Sequence, residues 1–243
     1  MKWLCLILIL FPSFVFANNQ RVDPKDAGFI SPLKIPLYLS GTFGELRTNH
    51  FHAGIDLKTQ QREGLEVVSI AEGYVSRIKV SPVGYGHAIY ITHSNGYTSV
   101  YAHLSKFNST IQEYIRNLQY EKESFEVEVF PDRDKFPVAQ GEVIALSGNS
   151  GGSGGPHLHF EIRETATEIP LNPLHFDFPV QDDIAPTVEY LRVYTCNAAH
   201  DPEHVHVPVK KVGKNYKIAG ASDTFTISAN RVFLGVKTFD RLN

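Results

Sequence analysis

Residues 143–163 read VIALSGNSGGSGGPHLHFEIR. An apolar run, Val143–Leu146, passes into a glycine-rich loop and out again into what reads as a second strand. Side chains two apart in a strand lie on one face. His157, His159 and Glu161 therefore share a side, and Leu158, Phe160 and Ile162 take the other. Two imidazoles and a carboxylate backed by an apolar face are the pattern of a metal site built on a sheet, and neutral imidazole is a common zinc ligand. His-x-His alone is equally the pattern of half-exposed strand residues. A partner far upstream sets this one apart.

That partner is the run NHFHAGID at 49–56. His52 and Asp56 are four apart, so they share a face in extended backbone, and Gly54 lets another element approach closely. His52, Asp56 and His159 supply two imidazoles and one carboxylate. Three protein ligands with a position left for water is the arrangement of catalytic zinc, whereas structural zinc is closed by four. His50 makes a second His-x-His with His52, and the spacing to Asp56 selects His52. His103 and His157 remain as acid–base groups.

Ala88–Ser94 and Tyr97–His103 are strand-like runs on either side of Asn95-Gly96, a strong hairpin signal because a type I′ turn takes φ > 0 at both central positions. A two-residue loop pairs His93 with Thr98, Ile91 with Val100 and Ala88 with His103. On that register His93 lies on an apolar face with Ile89, Ile91, Val100 and Ala102 and reads as a satisfied core histidine. His103 lies with Tyr90, Thr92, Ser99 and Tyr101 and is the candidate for chemistry. Val67–Ile70 and Tyr74–Ile78 read as a further hairpin across Glu72-Gly73.

The strands are interrupted at 106–137. Ser109 and Gln112 have capping-box spacing, and Ile111, Tyr114, Ile115 and Leu118 form a helical apolar stripe. Phe125, Val127 and Val129 then alternate with Glu126 and Glu128. The insertion reads as packed on the domain edge, or, as a sharper hypothesis, as a flap beside the cleft. Residues 18–35 read as a loose lead-in, and LNPLHFDFPVQDDIAP at 171–186 has linker chemistry. From Thr187 the strand-like runs resemble the start of a β-sandwich with no evident closing strand, so the chain is expected to be a fragment or this module to be completed elsewhere. His200, His204 and His206 lack a glycine loop and a spaced acidic partner and read as surface histidines. The fold class is therefore mostly β: an antiparallel sheet-rich domain over 36–178 with a helical insertion, then an incomplete β-sandwich-like module over 179–243.

With 243 residues, 42% of them hydrophobic, the chain can bury at least one good core. Lys2, the apolar run Trp3–Phe16 and Val15-Phe16-Ala17 read as a secretory signal peptide over 1–17, short for a membrane anchor. No second run of spanning length follows, so no stable membrane span is expected after cleavage. Of 23 basic and 26 acidic groups the signal removes Lys2, leaving a formal charge of −4. A mildly acidic protein is a poor nucleic-acid binder. Cys5 leaves with the signal and Cys196 has no internal disulfide partner. An exported protein without disulfides fits the periplasm or cell envelope.

The stretches NHFHAGID, VYAHL (100–104) and GNSGGSGGPHLHFE (148–161), in that order, resemble the three motifs of the lysostaphin-type (LytM-like) zinc metallopeptidases. VVSIAEGYVSRI (67–78) and PVAQGEVIAL (137–146) resemble that family's connecting strands. The resemblance covers about 38–163 and implies a zinc endopeptidase that cuts peptide bonds in bacterial peptidoglycan, with a D-Ala cross-link expected ahead of glycine bridges. It implies Zn²⁺ held by His52, Asp56 and His159, with His103 and His157 as non-ligand catalytic histidines. In that scheme His103 is the base or water-orienter and His157 the oxyanion stabiliser. The 106–137 insertion stands where the family has a short connection. The expected partners are peptidoglycan peptide stems, with a regulatory protein partner left open.

Three rival readings compete with this one. GNSGGS also resembles the nucleophile loop of trypsin-like periplasmic proteases, which would make Ser150 a nucleophile, but a triad leaves both histidine motifs unexplained. Some relatives of the metallopeptidases have lost ligands and bind or activate cell-wall amidases; here all five positions are filled. A structural zinc site needs a fourth ligand, and none has obvious spacing.

Overall fold

The structure, a computed structural model, describes residues 22–182, 184–196, 203–213, 215–220, 224–229 and 231–239. The expected signal peptide and His200 lie outside the described residues. The strands are β1 (Leu39–Gly41), β2 (Ile55–Lys58), β3 (Glu66–Val68), β4 (Gly73–Val80), β5 (His87–His93), β6 (Tyr97–Leu104) and β7 (Lys106–Phe107). The helix α1 (Ser109–Glu121) follows, then β8 (Val127–Val129), β9 (Pro137–Val138), β10 (Val143–Leu146), β11 (His157–Glu164) and β12 (Pro170–Leu171). Four more strands come last: β13 (Thr187–Cys196), β14 (Glu203–Val212), β15 (Asn215–Ile218) and β16 (Arg231–Phe239).

The main sheet is antiparallel, in the order β1-β2-β11-β6-β5-β4-β8, with β12 beside β11 and β9 beside β4. A smaller sheet, β3-β10-β7, shares its core. Alternation along β11 follows the sequence pattern: Leu158, Phe160 and Ile162 are fully buried. They pack in one cluster with Ile55 and Leu57 of β2, Ile89 and Ile91 of β5, and Val67, Phe107 and Ile144 of the small sheet. Each such side chain removed from water contributes about 1.5–3 kcal/mol. The apolar face of β11 thus anchors the strand and leaves its histidine face to the opposite side of the sheet.

Two hairpin expectations need correction. Glu72-Gly73 is a crossover, because β3 pairs with β10 in the small sheet while β4 pairs with β5. The Asn95-Gly96 hairpin exists, but Thr92 faces Thr98 and Tyr90 faces Val100, one residue off the expected register. Gly96 alone in this turn takes positive φ, +87°, so the loop is a longer one with glycine at its left-handed position rather than type I′. The faces change accordingly. Ile89 opposes Tyr101 and Ile91 opposes Ser99, so these share the core side with His93, while Tyr90, Val100 and Ala102 take the other. His93 is nonetheless a core histidine, bonded to the Glu72 carbonyl and Ser99 Oγ at 2.8 Å each.

The helix starts one residue before the expected capping box. Asn108 is its N-cap, accepting from the Ile111 amide at 3.0 Å, and Gln112 Oε1 accepts from the Phe107 amide. Ile111 and Ile115 are buried in the main core and β8 extends the edge of the main sheet on β4. The insertion therefore packs on the domain edge, with β5 and β4 between β8 and β6. The stretches expected as lead-in and linker are also tied down. Phe29 stacks on Phe176 with centroids 5.5 Å apart, Phe178 meets Phe160 edge-on, and Leu33 is buried. The last four strands form one antiparallel sheet in the order β15-β14-β13-β16. His204 and His206 are exposed on it, and the His206 ring stacks on Tyr190. Among the described residues no helix is long and apolar enough to cross a membrane.

Candidate metal centre

Adjacent strands bring the donors together by register. Asp56 of β2 lies opposite His159 of β11, and His159 lies opposite Ala102 of β6. Gly54 is the close-approach point: a Cβ there would sit 2.2 Å from the Phe160 carbonyl oxygen. His52 arrives from the hairpin loop before β2, where its amide bonds the Glu45 carbonyl. His52 Nε2, His159 Nδ1 and Asp56 Oδ1 stand 3.0–3.1 Å from one another. His52, Asp56 and His159 are all buried, at 5%, 7% and 4% exposed. His50, by contrast, is exposed and bonds Asn49 Oδ1.

His103 reaches this face by a local distortion. Between Ile89–Tyr101 and His87–Leu104 the register slips by one residue, and His103 takes φ +57°. Histidine is among the few non-glycine residues enriched at such angles, which cost energy and persist where the surroundings over-determine them. The distortion turns the His103 ring to within 4.7 Å of the His157 ring and 5.8 Å of His159, centroid to centroid.

Each of the four histidines has one ring nitrogen tied to an oxygen acceptor. His52 Nδ1 bonds the Thr42 carbonyl, His103 Nδ1 the Ser150 carbonyl and His157 Nδ1 the Gly155 carbonyl, each at 2.8 Å. His159 Nε2 bonds Glu161 Oε1, also at 2.8 Å. An oxygen acceptor demands N–H, so these partners assign the tautomers and leave the other nitrogen of each neutral ring with a bare lone pair. Two bare nitrogens and a carboxylate oxygen then converge, which is repulsive unless a cation or a proton sits among them. In the protein alone a proton does so. Burial opposes the charge on His159, but the Asp56 and Glu161 carboxylates on either side raise its pKa to about 9. Burial alone would raise the Asp56 carboxyl, yet the imidazoles of His157, His159 and His52 beside it hold it well below the usual range. The set fits a divalent ion that replaces that proton: ligands at zinc distances in tetrahedral array are ~3.3 Å apart.

The sequence reading did not assign roles to the groups behind this set. Glu161 is fully buried and accepts from His159, from Arg163 Nε at 2.7 Å and from the Tyr85 hydroxyl. A carboxylate behind a ligating histidine fixes its orientation and raises its basicity. The period-2 run His157, His159, Glu161, Arg163 was the available signal. Arg47 donates to Asp56 Oδ2 at 2.8 Å and to Glu45 Oε2 at 3.1 Å. Gly41 makes room for that pair, since a Cβ there would meet both groups under 3.0 Å.

Burial lowers the His103 pKa to about 4 against the opposing bond to the Ser150 carbonyl, so this ring is neutral at pH 7. Ser150 is a structural residue. Its hydroxyl donates to the Leu104 carbonyl at 2.7 Å and accepts from the His87 amide at 2.9 Å. With its one proton committed to a backbone oxygen, it has no base, and the serine-protease reading fails.

Residues 50–119 and 132–173 match the model of Peptidase family M23. The unmatched stretch, 120–131, is narrower than the insertion expected at 106–137. The chain is 34% identical over 171 residues to the DD-carboxypeptidase/endopeptidase Mpg of Neisseria meningitidis serogroup B, covering 68% of this chain and 33% of that protein. It is 30% identical over 168 residues to an uncharacterized metalloprotease of Haemophilus influenzae, covering 66% and 30%. The chain thus spans about a third of the length of these curated relatives. Among solved structures, the catalytic domain of the antimicrobial peptidase lysostaphin from Staphylococcus simulans aligns with a TM-score of 0.41 at 25% identity, over 57% of this chain and 88% of that domain.

Proposed function

Because this chain belongs to Peptidase family M23, whose model matches residues 50–119 and 132–173, we propose that it is an exported zinc metalloendopeptidase that hydrolyses peptide cross-links of bacterial peptidoglycan in the periplasm or cell envelope. The observation that carries the reading is the convergence of His52 Nε2, His159 Nδ1 and Asp56 Oδ1 within 3.1 Å of one another, with the Nδ1 atoms of His103 and His157 tied away. The Neisseria relative is a DD-carboxypeptidase/endopeptidase, which supports a D,D bond as the one cut.

His52, Asp56 and His159 would hold the zinc, which supplies Lewis acidity and an activated water of pKa ~7. The remaining work falls to this chain's own side chains. His103, neutral and with Nδ1–H committed to Ser150, presents Nε2 as a proton acceptor. A proton taken there can be returned to the leaving amine. His157 also has Nδ1–H committed, to Gly155. With that nitrogen committed, it can donate to a developing oxyanion from Nε2 only as the doubly protonated ring. Asp56 Oδ1 lies 3.5 Å from His157 Nε2, so the acceptor, the donor and the ligand set face one small volume.

The test is the zinc content and hydrolysis of a purified cross-linked muropeptide for the wild type and for Asp56→Ala and His159→Ala. One zinc per chain with cleavage in the wild type, and loss of both in the variants, is the expected result. Cleavage by a variant that holds no zinc would refute it.

A further inference from the structure

We infer that the ring-bearing face of the last sheet, β15-β14-β13-β16, is a docking surface for peptidoglycan. Arg192 holds a carboxylate of a stem peptide there, and the rings around it receive the adjoining sugar. The sheet lies beyond residue 173, where the family match ends. The identity of the polymer rests on the proposed action of the M23 region on peptidoglycan. The chemistry bound is argued from this sheet alone.

The register sorts the side chains into two unlike faces, because residues opposite one another share a side. Leu191 lies opposite Val207 and Val236, and Val193 opposite Val205 and Leu234, so one face is aliphatic. Val193 and Val207 are buried there. On the other face Arg192 lies opposite His206, and Tyr194 lies between His204 and Phe233. Tyr190 lies opposite Lys237, and its ring stacks on that of His206 with centroids 4.4 Å apart at 15°. The solvent face of an antiparallel sheet is ordinarily polar. This one carries five rings, and those of His204, His206 and Phe233 are exposed.

Among these rings a guanidinium is fixed by neutral partners alone. Arg192 Nε donates to His206 Nε2 at 3.0 Å, Nη2 to the Tyr190 hydroxyl at 3.2 Å and Nη1 to the Tyr194 hydroxyl at 3.4 Å. These bonds use three of the five N–H groups and leave one on each terminal nitrogen. Each phenol accepts from Arg192 and keeps its own proton to give. Among the described residues no carboxylate pairs with Arg192, and Glu189 on the same strand is taken by Lys237 at 2.7 Å. Two N–H and two O–H donors around a fixed cation match one carboxylate, which a guanidinium binds as a fork. The lone pair of His206 Nε2 is occupied by Arg192, so that nitrogen is not offered to a metal. Peptidoglycan carries such carboxylates singly, beside sugars whose C–H faces pack on aromatic rings. A chain of formal charge −3 is a poor partner for the continuous phosphates of a nucleic acid.

The test is co-sedimentation with intact sacculi, using the zinc-loaded chain with His103→Ala as the parent so that the polymer survives. Into this parent go Arg192→Gln and, separately, Tyr190→Phe with Tyr194→Phe, which removes two O–H donors and keeps both rings. Affinity should fall about 10–100-fold in the first and about 10-fold in the second, with the far-UV spectrum of each unchanged. Sacculi whose carboxylates have been amidated should bind the parent as weakly as intact sacculi bind the Arg192→Gln variant. Binding is read without turnover, so a failure here is distinct from a failure of the protein to hydrolyse sacculi. Parent-like affinity in both variants would overturn the inference. Tighter binding of a single-stranded oligothymidylate than of sacculi would overturn it too.

Discussion

His159 Nε2 and Glu161 Oε1, two residues apart on one strand, are joined by a hydrogen bond of 2.8 Å. The bond settles which nitrogen of His159 faces Asp56 and His52. It also links the ligand set to a fully buried carboxylate that Arg163 and Tyr85 hold from behind. Replacing Glu161 with Gln keeps the shape and removes the charge. Zinc affinity should fall about 10–100-fold, read by competition with a chromophoric chelator, while the far-UV spectrum stays unchanged. Affinity equal to the wild type would contradict this role.

His103→Ala should retain zinc and lose turnover by about 10²–10⁴-fold, measured on a cross-linked muropeptide. Its ring contributes no atom to the three-donor set, and its Nε2 is the neutral acceptor of the site. Full activity in this variant would remove His103 from the chemistry.

His93 predicts a pH dependence of stability away from the metal. Burial lowers its pKa to about 4 against the opposing bond to the Glu72 carbonyl, whereas an unfolded histidine titrates near ~6.5. Above pH ~6.5 both states are neutral and its contribution is complete. As pH falls from there through 4, the unfolded state takes up the proton first, and about 3 kcal/mol is lost. Urea unfolding of the zinc-stripped protein should show that decline, and His93→Gln should flatten it. Identical slopes in the two proteins would refute the assignment.

Ser150→Ala should cost stability, about 1–3 kcal/mol, because the Leu104 carbonyl and His87 amide both lose their partner. Serine-reactive phosphonates should leave the wild-type activity intact. Inactivation by a phosphonate but not by a chelator would restore the serine-protease reading.

Period-2 alternation placed His157, His159 and Glu161 opposite Leu158, Phe160 and Ile162 because face assignment in one strand needs no partner. The approach at Gly54 and the helical stripe of α1 were legible for the same local reason. Register between strands was not. Asn95-Gly96 permits loops of two or three residues, and that one-residue difference moved Ser99 and Tyr101 to the core face with His93. His103 came to the site through a left-handed backbone angle that no periodicity encodes. Arg47 and Tyr85 reach the centre from loops, and only tertiary packing brings them there. Phe29, Phe176 and Phe178 lay in stretches whose prolines and charges read as lead-in and linker, yet their rings close one edge of the core.

The most direct test is digestion of purified peptidoglycan sacculi by the chain without residues 1–17, with soluble muropeptides read by mass spectrometry. Three lanes are needed: protein alone, protein with chelator, and chelator followed by excess zinc. Cross-linked dimers should fall in the first lane, persist in the second and fall again in the third, and the products should name the bond. Dimers unchanged in every lane, with zinc bound to the protein, would contradict the assignment of this centre to peptide-bond hydrolysis.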